Sequence, residues 1–115
     1  MAYDEKLAER IRKAVKTLRG VDEKKMFGGI AFLLNGKMFV GITKDELLAR
    51  VGPENNETAL KKPHTRPMDF TGKPMKGFIY IAPAGVKTDK QLTNWIKTAN
   101  EFVQTLKNDQ QTKRN

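Results

Sequence analysis

The chain has 115 residues, with 22 Lys and Arg against 13 Asp and Glu, one His, no Cys and a formal net charge of +9. That length accommodates one domain with its own core, not two. Without Cys there are no disulfides, thiolate nucleophiles or iron–sulfur clusters, and a single His excludes a multi-His metal site within one chain.

Residues 4–19 predict an amphipathic helix, because Leu7, Ile11, Ala14, Val15 and Leu18 fall on one face. Asp4 is placed to cap its start, and Gly20 to stop it in the left-handed conformation. Asp4, Glu5 and Glu9 set this segment apart from an acid-poor transit peptide. Residues 23–27 predict a short strand. In Met26-Phe27-Gly28-Gly29 the glycines lack phosphate-loop spacing, so they predict a turn, a bulge or a close backbone approach.

Asn35-Gly36 is a strong type I′ hairpin signal. A regular ladder then pairs Phe32 with Phe39, Ala31 with Val40 and Ile30 with Gly41. It puts Ile30, Phe32, Leu34 and Phe39 on one face. The other face receives Ala31, Leu33, Met38, Val40 and Ile42. Both faces are apolar, so helices are expected over one. A helix, the loops or a second subunit is expected over the other.

Residues 46–51 predict a strand, and Gly52-Pro53 opens a short helix through about Leu60. Residues 61–76 contain Pro63, Pro67 and Pro74 and predict a long loop. Residues 77–82 predict a further strand. Thr88 and Gln91 form a capping-box pattern before Leu92, Trp95, Ile96, Ala99, Phe102, Val103 and Leu106, the apolar face of the last helix. The expected domain is 1–107, followed by a disordered polar tail, 108–115. The expected fold class is α+β. It is a two-layer domain with a mainly antiparallel meander of about five strands and long N- and C-terminal helices.

The charge is uneven. Residues 1–57 hold 11 basic and 9 acidic side chains, net +2, and residues 58–115 hold 11 basic and 4 acidic, net +7. The basic side chains of the proline-rich segment are Lys61, Lys62, Arg66, Lys73 and Lys76. With Met68, Phe70 and Met75 they are the candidate contacts for a protein partner or, non-specifically, for nucleic acid. His64 and Asp69 are the remaining groups in this segment that could carry enzyme chemistry, and they match no triad or metal spacing. The chain is expected to be non-enzymatic and to need no metal or cofactor. No apolar run approaches the roughly 18 residues of a membrane helix. No membrane association is expected, and cytoplasmic localisation is.

Several ordered blocks resemble the TfoX/Sxy N-terminal domain family. They are Glu-Lys-Lys-Met-Phe-Gly-Gly-Ile-Ala-Phe-Leu-Leu-Asn-Gly-Lys-Met (23–38), Arg-Val-Gly-Pro (50–53) and Arg-Pro-Met-Asp-Phe-Thr-Gly-Lys-Pro-Met-Lys-Gly (66–77). The opening residues 2–11 fit as well, and the resemblance spans about residues 2–106. The residues carrying it as structural motif are Met26, Phe27, Gly28, Gly29, Asn35, Gly36, Gly52, Pro53, Pro67, Asp69, Gly72, Pro74 and Gly77. The resemblance implies a five-stranded antiparallel sheet between terminal helices in sequence. It also implies kinship with bacterial competence regulators, transcriptional co-regulators whose fuller forms carry a second domain. This chain is similar to the stand-alone form. A regulatory or adaptor role through protein contacts, including a homodimer, is the expectation. The family brings no catalytic residues.

Overall fold

Asp4 accepts backbone N–H bonds from Lys6 (2.9 Å) and Leu7 (3.2 Å) through one carboxylate oxygen, and this cap starts α1 (Glu5–Ala14). A computed structural model describes residues 3–26, 28–70 and 73–114, with side chains apart from those of 26, 69, 70, 73–75 and 107–114. α1 is shorter than its apolar stripe. After Ala14 the chain passes into a turn, yet Val15 stays buried and Leu18 still packs on the core.

The strands are β1 (Val21–Met26), β2 (Gly29–Leu34), β3 (Lys37–Thr43), β4 (Glu46–Arg50), β5 (Thr65–Phe70) and β6 (Lys73–Ile81). A 3₁₀ turn (Pro53–Asn55) leads into α2 (Asn56–Leu60). A second 3₁₀ turn (Pro83–Val86) precedes α3 (Asp89–Arg114). The capping box forms as expected: Thr88 Oγ1 accepts from the Gln91 N–H at 3.1 Å, and Gln91 Oε1 accepts from the Thr88 N–H at 3.0 Å. The expected tail, 108–115, lies outside the described side chains.

All strands pair antiparallel in one six-stranded sheet of order β1-β2-β3-β4-β6-β5. The α+β two-layer arrangement is present with one strand more than expected. The extra strand is β5, in the segment read as a loop, and β6 begins at Lys73 rather than Gly77. Pro67 can sit in β5 because that strand is an edge, where one side of the backbone needs no ladder bond. β6 lies between β4 and β5, so the meander is broken once.

Asn35 (φ 52°) and Gly36 (φ 85°) make the expected hairpin turn. The regular ladder beyond it does not hold. Leu33 pairs with Met38 but Phe32 pairs with Val40, so Phe39 is the extra residue of a bulge. The bulge turns both Phe39 and Val40 inward, and both are fully buried. It also moves Ile42 opposite Ile30. The expected assignment of Val40 and Ile42 to the outer face is therefore corrected.

Two rows then cross the sheet on its inner face: Ile30, Ile42, Leu47, Ile81 and Phe32, Val40, Ala49, Ile79. Leu7, Ala8 and Ile11 of α1 and Leu92, Trp95, Ile96, Ala99 and Val103 of α3 cover them. Gly29 answers the question of the double glycine. A Cβ there would stand 2.0 Å from the Ile42 carbonyl oxygen, so the β2–β3 pairing needs its bare backbone.

β1 is tied to α1 by Arg12, whose Nε and Nη2 donate to the two Glu23 carboxylate oxygens at 2.8 and 2.9 Å. This hydrogen-bonded pairing lowers the Glu23 pKa from its ordinary value. A depressed carboxylate pKa stabilises the fold above the unfolded-state pKa, near 4.5, and the gain is lost as pH falls through the folded value. Both side chains are partly exposed, so the contribution is expected to stay below about 1 kcal/mol. Urea unfolding of the wild type and Glu23→Gln should differ at pH 7 and converge in acid once Glu23 is protonated in the folded state as well.

Candidate interaction surface

The helices leave the other sheet face without a second layer among the described residues. Strand pairing fixes what it presents. The central row runs Lys24, Ala31, Gly41, Leu48, Tyr80, Arg66 across all six strands. Toward the Asn35-Gly36 turn lie Asp22, Leu33, Met38, Arg50 and Phe78, and toward the opposite end lie Thr43 and Glu46. Leu33, Met38, Phe78 and Tyr80 are half-buried. The proline-rich segment does not fold over this face. Its residues 65–70 extend the sheet sideways as β5.

A single long side chain does part of the covering. Arg66 projects from β5, its guanidinium lies 4.4 Å from the Tyr80 ring centroid on β6, and it bonds both Glu46 carboxylate oxygens on β4. It therefore spans two strand spacings, about 10 Å, lying flat on the sheet. The methylene stem of an arginine can cover apolar surface while its head stays polar. Leu48, in the same row, is 7% exposed with no helix above it. The bond to Glu46 raises the Arg66 pKa further above its usual value.

Arg50 is held differently. Its guanidinium sits 5.3 Å from the Phe78 centroid and 5.7 Å from that of Phe102 in α3. It donates one long bond, 3.4 Å, to the Met38 carbonyl. No carboxylate pairs with it among the described residues. Partial burial pushes its pKa down from the usual value.

The residues singled out in the sequence disperse. Lys61 and Lys62 are exposed just beyond α2, and Lys62 Nζ lies 5.1 Å over the Trp95 ring of α3. Lys62 is thus on the helix side of the sheet and Arg66 on the open side. Lys76 is exposed on β6, and Met68 is half-buried, opposite Met75 in register. The side chains of Asp69, Phe70, Lys73, Pro74 and Met75 lie outside the described residues, as do Phe27, Thr71 and Gly72 entirely. Pro67 pairs with Ile79, and the Gly77 carbonyl accepts the N–H groups of Val51 (2.8 Å) and Gly52 (3.1 Å). His64 is exposed in a left-handed conformation (φ 67°), with its carbonyl accepting the Ala82 N–H at 2.8 Å.

Sequence reasoning overlooked Glu46, Arg50 and Tyr80 as parts of this surface. The signal was present as alternation. Glu46, Leu48 and Arg50 take every second place in β4, and Phe78 and Tyr80 do so in β6. On the helix side, a cleft of about 550 Å³ lies between the first 3₁₀ turn and α3, lined by Pro53, Glu54, Thr98, Glu101, Phe102 and Leu106 among others. Neither it nor the adjoining cleft at Trp95 and Lys62 contains His64.

Residues 13–103 match the family described as TfoX N-terminal domain. The chain belongs to this family. The matched stretch of the TfoX N-terminal domain starts within α1, takes in all six strands and ends at Val103, the last buried residue of α3 among those described. The open face and its Arg66 strap are thus parts of the TfoX N-terminal domain itself. No curated protein and no solved structure matches the chain. Among the described residues, no helix is long and apolar enough to cross a membrane.

Proposed function

We propose that this TfoX N-terminal domain is a non-enzymatic regulatory or adaptor domain of the bacterial cytoplasm that works through protein contacts made by its open sheet face. The observation that supports this reading is the face itself. Half-buried Leu33, Met38, Phe78 and Tyr80 lie on it without a covering layer among the described residues, beside the exposed guanidinium of Arg66. Apolar and aromatic groups beside arginine are what protein-contact surfaces are enriched in. Family membership supports the regulatory part.

The test is capture of partners from native cytoplasm by the wild type and by Leu33→Glu, each with and without nuclease. Proteins retained by the wild type after nuclease and lost with Leu33→Glu support the reading. Equal capture by both removes the open face from it.

A second reading, nucleic-acid contact through the basic residues of 61–76, is favoured by the net charge of +9. It expects affinity that falls linearly in log K with log salt. Reversing Lys76, exposed on β6, should then weaken binding and flatten that slope.

A further inference from the structure

We infer that the outer surface of the α1–α3 helix layer binds duplex nucleic acid through its phosphates, with Lys6, Arg10 and Lys13 of α1 and Lys90 and Lys97 of α3 as the contacts. The inference rests on the nucleic-acid reading for its partner. It differs from that reading in place, since the latter puts the contact in residues 61–76.

The helical period sorts the charges of α1. Lys6, Arg10 and Lys13 fall at i, i+4 and i+7 and share one flank. Glu5, Glu9 and Arg12 share another, where Arg12 bonds Glu9 and Glu23 of β1. The basic flank faces α3. Arg10 Nη2 donates to the Val86 carbonyl at 2.7 Å, and Arg10 and Lys13 line a cleft of about 260 Å³ against Asp89 and Thr93. Lys90 and Lys97 lie three places before and four after Thr93, on the same face of α3.

Two ridges of cations therefore border one cleft. Lys6, Lys13, Lys90 and Lys97 are exposed, and none pairs with a carboxylate among the described residues. The carboxylate bordering the cleft, Asp89, lies 3.4 Å from Arg10 and in the first turn of α3, where the helix dipole offsets its charge. The charge count along the chain hides this surface. It adds the acids of residues 1–57 to the cations of α1, and the fold turns those acids elsewhere.

Unpaired cations in two ridges fit an extended polyanion. Each ridge spans about 10 Å, and packed helix axes stand about 8–10 Å apart. A duplex carries one negative charge per about 1.7 Å of its axis, so several phosphates fall within reach. No aromatic side chain lines the cleft, so it offers no platform on which the bases of a single strand could stack. A duplex, whose bases are already stacked, needs none. Phosphate contacts carry no sequence information, so the binding is independent of sequence.

The experiment is fluorescence anisotropy of a short labelled DNA duplex, titrated with the full chain from about 50 to 200 mM salt. The proteins are the wild type, Lys13→Glu/Lys97→Glu, and the charge-matched Lys61→Glu/Lys76→Glu. All four lysines are exposed, and circular-dichroism melts check that the variants fold. The wild type should bind with log K falling linearly in log salt. The helix-layer variant should lose about tenfold or more in affinity, and the loop variant less than about threefold. Lys13→Gln and Lys97→Gln should each flatten the salt slope by about 1, and they decide the matter if charge reversal unfolds the chain.

Equal losses in the two double variants reduce the effect to net charge and overturn the helix-layer site. Loss confined to Lys61→Glu/Lys76→Glu overturns it too, and leaves the reading through residues 61–76 standing. A wild type that does not bind the duplex overturns both, as does one that binds only vesicles of anionic phospholipid.

Discussion

Replacing Gly52 with alanine is expected to cost about 3 kcal/mol of stability. Gly52 has φ of +92°, outside the comfortable range of an L-residue, and a Cβ there would stand 2.4 Å from Cδ1 of Phe102. The conformational part is about 1–2 kcal/mol. The steric part adds about 1–2 kcal/mol, because an extra methyl must displace a packed ring. Backbone relief is limited, since the Val51 and Gly52 N–H groups are both fixed on the Gly77 carbonyl. A double-mutant cycle separates the two parts. In a Phe102→Ala background the alanine at 52 should cost only the conformational part, about 1–2 kcal/mol. An equal penalty in both backgrounds would mean that the ring takes no share.

The second large effect is a contrast between two lysines. Ile42→Lys should leave the chain unfolded at 25 °C, whereas Met38→Lys should change stability by no more than about 1 kcal/mol. Ile42 is 1% exposed in the helix-covered core, and Met38 is half-buried on the open face. A buried ammonium without a partner costs several kcal/mol beyond the lost apolar burial, against a total stability of about 5–15 kcal/mol. The regular hairpin ladder puts Ile42 and Met38 on the same side, so it expects similar outcomes for both. Circular-dichroism melts of the two variants decide between the register with the bulge and the register without it.

That contrast marks where the sequence stops being informative. The capping residues Asp4, Thr88 and Gln91, the Asn35-Gly36 turn and both helical stripes are local signals, and the structure follows them. The bulge at Phe39 has no such signal. Residues 30–34 and 38–42 are apolar on both sides of the strand, so alternation cannot distinguish one register from its neighbour. β5 was obscured for another reason. Prolines at 63, 67 and 74 read as a loop, and only the position of β5 at the sheet edge makes Pro67 compatible with a strand. The Arg66–Tyr80–Glu46 arrangement joins three strands, two of them brought together by the insertion of β6 between β4 and β5. Residues up to 34 positions apart in sequence meet there, and spacing along the chain does not show it.

The strand order also imposes an order of assembly. β1 to β4 pair through successive short turns, so they can zip together from local contacts as the chain leaves the ribosome. At that stage β4 is an outer strand. Its Leu47, Leu48 and Ala49 have neither the charges of β1 nor the proline of β5 to deter a neighbouring chain. That exposed strand persists until β6 docks against it, and the inner rows stay partly bare until α3 follows. The finished sheet has two guarded edges, but the half-made one has an adhesive side. Synthesis that stalls after Leu60 should therefore yield aggregates rather than a smaller soluble domain.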